Sequence, residues 1–203
     1  MPRITDARRA ARRIHILRAA IRCVTRSGFQ GMTMGDVIAE SGLSAGAVYG
    51  YFGSKNELLA AVADHNFAGL GGIVARAAGD GVPPAPADML EAMIAGLLEV
   101  AVTEDGDLTI VAVQIWGQAV LGGDIQDLMS PRIHLVLDQL TGLARRWQQA
   151  GFVAPDADPE SVARVFLALV PGFMLQRLVI GEQSAADFSA GLRALTAARA
   201  ASR

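Results

Sequence analysis

A chain of 203 residues, 52% hydrophobic and 19% charged, suffices for one sizeable core or for a small domain joined to a larger one. Abundant alanine and leucine with little strand-type alternation predict an all-α fold. The longest apolar run, Val165 to Leu175, is eleven residues and contains Pro171, which excludes a membrane span on length and leaves no membrane partner expected. The basic N-terminus lacks an apolar stretch before its arginines, and Cys23 is a lone cysteine, so a cytoplasmic protein without disulfides is expected.

After a frayed start over residues 1–7, a first helix is predicted to Ser27, with Ile14, Leu17, Ile21 and Val24 recurring at helical steps and Gly28 ending it. Arg8, Arg9, Arg12 and Arg13 lie near its start, where they can meet a DNA backbone, and Phe29 and Met32 are expected to staple it to the next two helices. A short helix then opens at Thr33, with Asp36 three residues on, and stops at Ser41-Gly42. Ser44 opens another, Ala45 to about Phe52, in which Val48 and Phe52 share an inward face. Its other residues are small (Ala45, Gly46, Ala47, Gly50) or carry hydroxyls (Tyr49, Tyr51), a surface suited to a major groove. This is a helix-turn-helix. Ser54 to Glu57 forms a capping box for a fourth helix running through Leu58, Leu59, Val62, Phe67, Leu70 and Val74 towards Gly79.

Gly79 to Pro86 reads as a loop, with three prolines and two glycines in eight residues. Helices are then predicted over Asp88 to Thr103 and Leu108 to Leu121. A segment starts at Asp124, a fresh first turn at Pro131 continues to Ala150, Pro159 opens a helix to Ile180 bent at Pro171, and Ser184 to Ala201 is the last. The total is about nine helices.

Charge is unevenly placed. Through Lys55 there are nine cations against three acids, a net +6, and in the remainder nine against seventeen, a net −8. That asymmetry suits a small DNA-binding head on an acidic body; a solvated basic helix face is the plain alternative. His15, His65 and His134 are remote from one another in sequence, and GxxxxGK[ST] does not occur. No metal, cofactor or catalytic residue is therefore expected, and the chain is not read as an enzyme.

Thr33-Met34, Asp36-Val37, Gly42 to Gly46, Val48 to Phe52, Ser54-Lys55 and Glu57-Leu58 together resemble the DNA-binding domain of TetR-family repressors, over roughly residues 10 to 60. Two positions depart: Ile38 replaces a small residue, and Gly50 replaces a polar or aromatic one between the tyrosines. The resemblance implies a three-helix head over residues 1–54 and a helical effector-binding and dimerisation body over 55–203. Thr33, Ser44, Tyr51 and Lys55 would contact phosphates, and Ala45, Gly46 and Tyr49 would face bases. A small-molecule effector would be enclosed by residues among Met93, Leu97, Gln114, Trp116, His134, Phe173 and Gln176. The last two helices would pair with a second copy through Val165, Leu169, Phe173, Phe188, Leu192 and Leu195, with the chain's own core as the alternative place for them. The implied partners are thus duplex operator DNA, a second copy of the chain and an effector. The competing readings are an architectural DNA binder without sequence choice and a small-molecule binder or enzyme with a vestigial head.

Overall fold

The computed structural model describes residues 6–77, 81–103 and 106–197. Among these it has nine helices: α1 (Asp6–Gly31), α2 (Met34–Ser41), α3 (Ala45–Tyr49), α4 (Lys55–Ala77), α5 (Pro86–Ala101), α6 (Leu108–Val120), α7 (Asp124–Gln149), α8 (Pro159–Val179) and α9 (Ala185–Ala197). Two-residue strands β1 (Val102–Thr103) and β2 (Gly106–Asp107) pair antiparallel between α5 and α6, too short to alter the all-α class. Of the frayed start expected over residues 1–7, residues 1–5 lie outside the described residues, as does the extension of the last helix to Ala201, while Asp6 and Ala7 are already helical.

Two compact units form: residues 1–66 with 101–128, and residues 67–100 with 129–203. In the first, α1 packs on α2 and α6. Its buried stripe is Ile16, Leu17, Ala20, Ile21, Cys23 and Val24, two residues wide at each turn, whereas Ile14, expected in that stripe, is exposed. Gly28 breaks α1 with φ 76° and ψ 169°, a conformation only glycine adopts readily, and one further turn carries Phe29 and Met32 into the core. The predicted stop and staple are both present there.

In the second unit, Trp147 of α7 is fully buried, packs edge-on against Phe166 of α8, and donates from Nε1 to the Pro84 carbonyl (2.8 Å). Arg146 donates to the Gly81 carbonyl (2.6 Å), so the proline-rich loop is fastened to α7 at two points. α9 is keyed to α5 by Ser189, fully buried, donating to Glu91 (2.9 Å), and by the Arg193–Asp88 pair (2.6 Å). α7 runs unbroken from Asp124 through Pro131, where a fresh start was expected. Proline removes one N–H from the ladder and its ring crowds the carbonyl four residues back, yet the remaining bonds carry the helix past it. α8 opens as predicted, with Asp158 as N-cap and Pro159 in the first turn. An 18-residue stretch of it, mean hydropathy 1.6, makes the helix long and apolar enough by composition to cross a bilayer, a property the eleven-residue run conceals. It nonetheless buries Ala163, Phe166, Val170, Phe173 and Met174 in its own unit.

Candidate nucleic-acid interface

The helix-turn-helix is built almost entirely by its caps. Thr33 Oγ1 accepts from the Asp36 N–H (3.1 Å) while the Asp36 carboxylate accepts from the Thr33 N–H (2.8 Å), the reciprocal box the spacing predicts. The Thr33 hydroxyl, donating to the same carboxylate (2.7 Å), and the Thr33 N–H favour its charged form and hold Asp36 below the ordinary carboxylate range. Gly42 closes α2 at φ 66°, and its N–H returns to the Ala39 carbonyl. Ser44 then caps α3 through the Ala47 N–H (3.3 Å). Ser54 Oγ accepts from the Glu57 N–H (3.1 Å), but Glu57 reaches back to the Gly53 N–H (2.7 Å), one residue before the position a capping box calls for.

These caps fix which side of α3 is buried. Val48 and Phe52 are completely enclosed, whereas Ser44, Ala45, Gly46 and Gly50 are exposed and Tyr49 keeps 49% of its surface in solvent. Thr33 is also exposed, and Tyr51 and Lys55 are half-buried. Lys55 Nζ donates to the Gln30 carbonyl at the end of α1 (3.1 Å), so the cation starts from an internal hydrogen bond. A Cβ built on Gly46 would meet nothing within 4 Å, which marks this side of the helix as open.

Several supporting residues were not found by sequence reasoning. The Arg13 guanidinium lies 4.9 Å from the centre of the Phe52 ring, a cation–π contact that joins α1 to the end of the motif. Glu40 of α2 accepts from Arg22 (2.7 Å) and Arg26 (3.1 Å) of α1, and both bonds hold its carboxyl below the ordinary range. His15 Nε2 donates to the Ser41 carbonyl (2.9 Å), tying α1 to the end of α2. Burial pushes the Cys23 thiol up, as expected of a packed side chain rather than a reactive one. Gln30 donates to Gln118 of α6 (2.8 Å), and Asn56 donates to Asp124 at the start of α7 (2.7 Å). Pairs 88 and 68 residues apart leave no periodic signal in a sequence.

The residues assigned to an effector site fall in different surroundings. Gln114 and Trp116 are half-buried in the first unit, and the Gln114 Oε1 is buried without a hydrogen-bond partner. In the second unit Met93, Leu97 and Phe173 are buried, while His134 and Gln176 are exposed. His134 Nδ1 lies 2.7 Å from the Ser130 carbonyl, one turn back in its own helix. Of the residues assigned to pairing, Phe173 is fully enclosed and packs edge-on against the half-buried Phe188, 5.3 Å between ring centres. Leu169 and Leu192 are half-buried, and Val165 and Leu195 are exposed at 65% and 80%.

With this geometry in view, comparison with known proteins is decisive. Residues 16–62, the span from the buried part of α1 into α4, match the model of bacterial regulatory proteins of the tetR family. The chain is a TetR-family transcriptional regulator. It is 27% identical over 185 residues to the uncharacterized HTH-type transcriptional regulator YfiR of Bacillus subtilis, covering 91% of this chain and 88% of that one. It is 29% identical over 182 residues to the HTH-type transcriptional repressor Rv1474c of Mycobacterium tuberculosis, covering 90% of each. Among solved structures, Salmonella enterica GusR superposes with a TM-score of 0.73 at 21% identity, over 96% of this chain and 97% of that one. SmeT in complex with triclosan gives 0.68 at 25% identity, over 83% and 81% of the two chains. AibR in complex with isovaleryl coenzyme A and operator DNA gives 0.66 at 21% identity, over 89% and 95%. As a TetR-family regulator the protein is a DNA-binding protein and not an enzyme.

Proposed function

We propose that this TetR-family regulator is a homodimeric, cytoplasmic repressor that grips a palindromic operator through α3 and releases it when a small apolar or amphipathic effector binds. The observation that carries the reading is the division of α3 into an enclosed Val48 side and an open Ser44-Ala45-Gly46-Tyr49 side. Residues 1–54 serve as the DNA-binding head and 55–203 as the effector-binding and dimerisation body. Thr33, Ser44, Tyr51 and Lys55 supply phosphate contacts and Ala45, Gly46 and Tyr49 approach bases, an arrangement that places affinity in the first group and sequence choice in the second.

Dimerisation is supported by what α8 leaves uncovered. Val165, Ala168, Leu175 and Val179 are exposed and recur at helical steps, and Gly172 in their midst has open space where a side chain would be. They make an apolar stripe along α8 of the kind monomers rarely present, and Leu195 of α9 is exposed as well. A twofold pair of such faces also accounts for one helix-turn-helix per chain, because two symmetry-related copies read two half-sites. Phe173 and Phe188, engaged with each other, support this face from within. The effector reading draws on the neighbours seen with triclosan and with isovaleryl coenzyme A, and on Gln114, whose orphaned carbonyl oxygen suits a ligand bearing a hydrogen-bond donor. Release requires the effector to bind two conformations with different affinity.

Footprinting across the DNA flanking the protein's own gene tests the reading. One protected palindrome is expected, lost in Tyr49→Ala while the thermal transition is unmoved. Uniform coating of all DNA would replace a specific regulator by an architectural binder. Mass spectrometry of small molecules carried through purification tests the effector.

A further inference from the structure

The surface that α3 turns to solvent holds very little with which to hydrogen-bond a base. Between Gly42 and Gly53 there is no arginine, lysine, asparagine or glutamine, the residue types that form paired bonds with guanine or adenine edges. Of the three hydroxyls there, Ser44 Oγ already accepts from the Ala47 N–H, and Tyr51 is half-buried. The neighbouring Thr33 and Asp36 side chains are closed on each other at 2.7 Å. Beside the capping Ser44, what remains exposed is Ala45, the bare backbone at Gly46 and Gly50, and Tyr49, with 49% of its surface in solvent. The proposed function makes this the DNA-facing surface; the side chains on it decide what it can read.

In the major groove one base-edge feature is apolar, the 5-methyl group of thymine. We propose that α3 selects its operator by packing thymine methyl groups against the Ala45 side chain and the Tyr49 ring, with Gly46 letting the helix approach closely enough for those contacts to exclude water. The reading rests on the regulator function above and concerns what the protected palindrome is chosen for. It makes Ala45 and Tyr49 specificity-determining residues by virtue of carbon surface, and it assigns the Tyr49 hydroxyl no part in choosing bases.

Replacing thymine by uracil in the protected palindrome, one position at a time, removes the methyl group and leaves every hydrogen-bonding atom in place. Two or more positions per half-site are expected to lose affinity, each by about three- to fourfold, the scale of burying one methyl group. The same replacement outside the protected region is expected to change nothing. Ala45→Gly should abolish the uracil effect at one of these positions, a coupling that a general weakening would not produce. Tyr49→Phe, a change at a half-exposed residue that leaves the fold intact, should keep the base preference.

Two results would overturn the proposal while leaving the regulator reading standing. Affinity indifferent to uracil everywhere would place the choice in DNA shape. Relaxed preference at one base pair in Tyr49→Phe would place it in the hydroxyl. Absence of any protected palindrome would instead remove the regulator reading itself, together with this proposal.

Discussion

α3 and α8 each leave one side uncovered, and they do so with opposite chemistry. α3 has five residues, is held by the caps at Ser44 and Gly50, and exposes serine, alanine, glycine and tyrosine. α8 has 21 residues, fills its unit with Phe166, Val170, Phe173 and Met174, and exposes valine, alanine and leucine. A surface meant for DNA must stay wetted until the duplex arrives, and small residues let the backbone come near a groove. A surface meant for a second copy gains by leaving water, so it is apolar and long. Exposure by itself therefore does not identify a partner; the kind of atom exposed does.

Phe52 and Tyr49, three residues apart, give the sharpest test of that contrast. Phe52→Ala should cost about 3–5 kcal/mol of stability as a cavity beneath the Arg13 guanidinium, measured by chemical denaturation. Tyr49→Ala should move stability by under about 0.5 kcal/mol, yet weaken operator binding about tenfold or more. Equal stability losses would return Tyr49 to the core. Val165→Asp should halve the mass measured by light scattering without lowering helix content, because the new charge lies on the uncovered side of α8; a dimer that persists would break the assignment of that face.

Smaller effects are expected where charge is concerned. Lys55→Ala should weaken binding to all sequences alike and lower the slope of log affinity against log salt by about one, as for one lost phosphate contact. An unchanged slope would leave Lys55 solely as the partner of Gln30. Glu40 is held below its ordinary value of 4.5 by Arg22 and Arg26. A depressed folded-state value means its contribution to stability is present above the unfolded-state value and fades as pH falls through the folded-state one. The thermal midpoint should accordingly fall on acidification below about pH 4.5, and Glu40→Gln should flatten that part of the profile.

Local chemistry was the legible part. The Thr33–Asp36 box, the glycine stops at 28 and 42, the Ser44 cap and the start of α8 at Pro159 each involve groups a few residues apart, so residue type and spacing specify them directly. Less could be read where two elements compete for the same side chain. Lys55 is engaged by a carbonyl 25 residues away, and Arg13, one of the arginines expected at a DNA backbone, lies over Phe52. Leu195 belonged by periodicity with Phe188 and Leu192 but is exposed at 80%, whereas Ser189, a polar residue on the same helix, is fully buried because Glu91 receives its hydroxyl. Periodicity shows which residues share a helix side, not how far the neighbouring element extends along it.

By itself the amino-acid order determined an all-helical chain, a capped helix-turn-helix near the N-terminus, and a basic segment through Lys55 followed by an acidic remainder, since each depends on residue type and short spacing. Tertiary structure alone decided that α6 and the first turn of α7 belong to the same compact unit as the helix-turn-helix, through bonds such as Gln30 to Gln118 and Asn56 to Asp124. It also decided which apolar residues of α8 are spent inward and which stay bare. Those outcomes depend on distant segments arriving side by side, and the free energy of such meetings is written in no single stretch of chain.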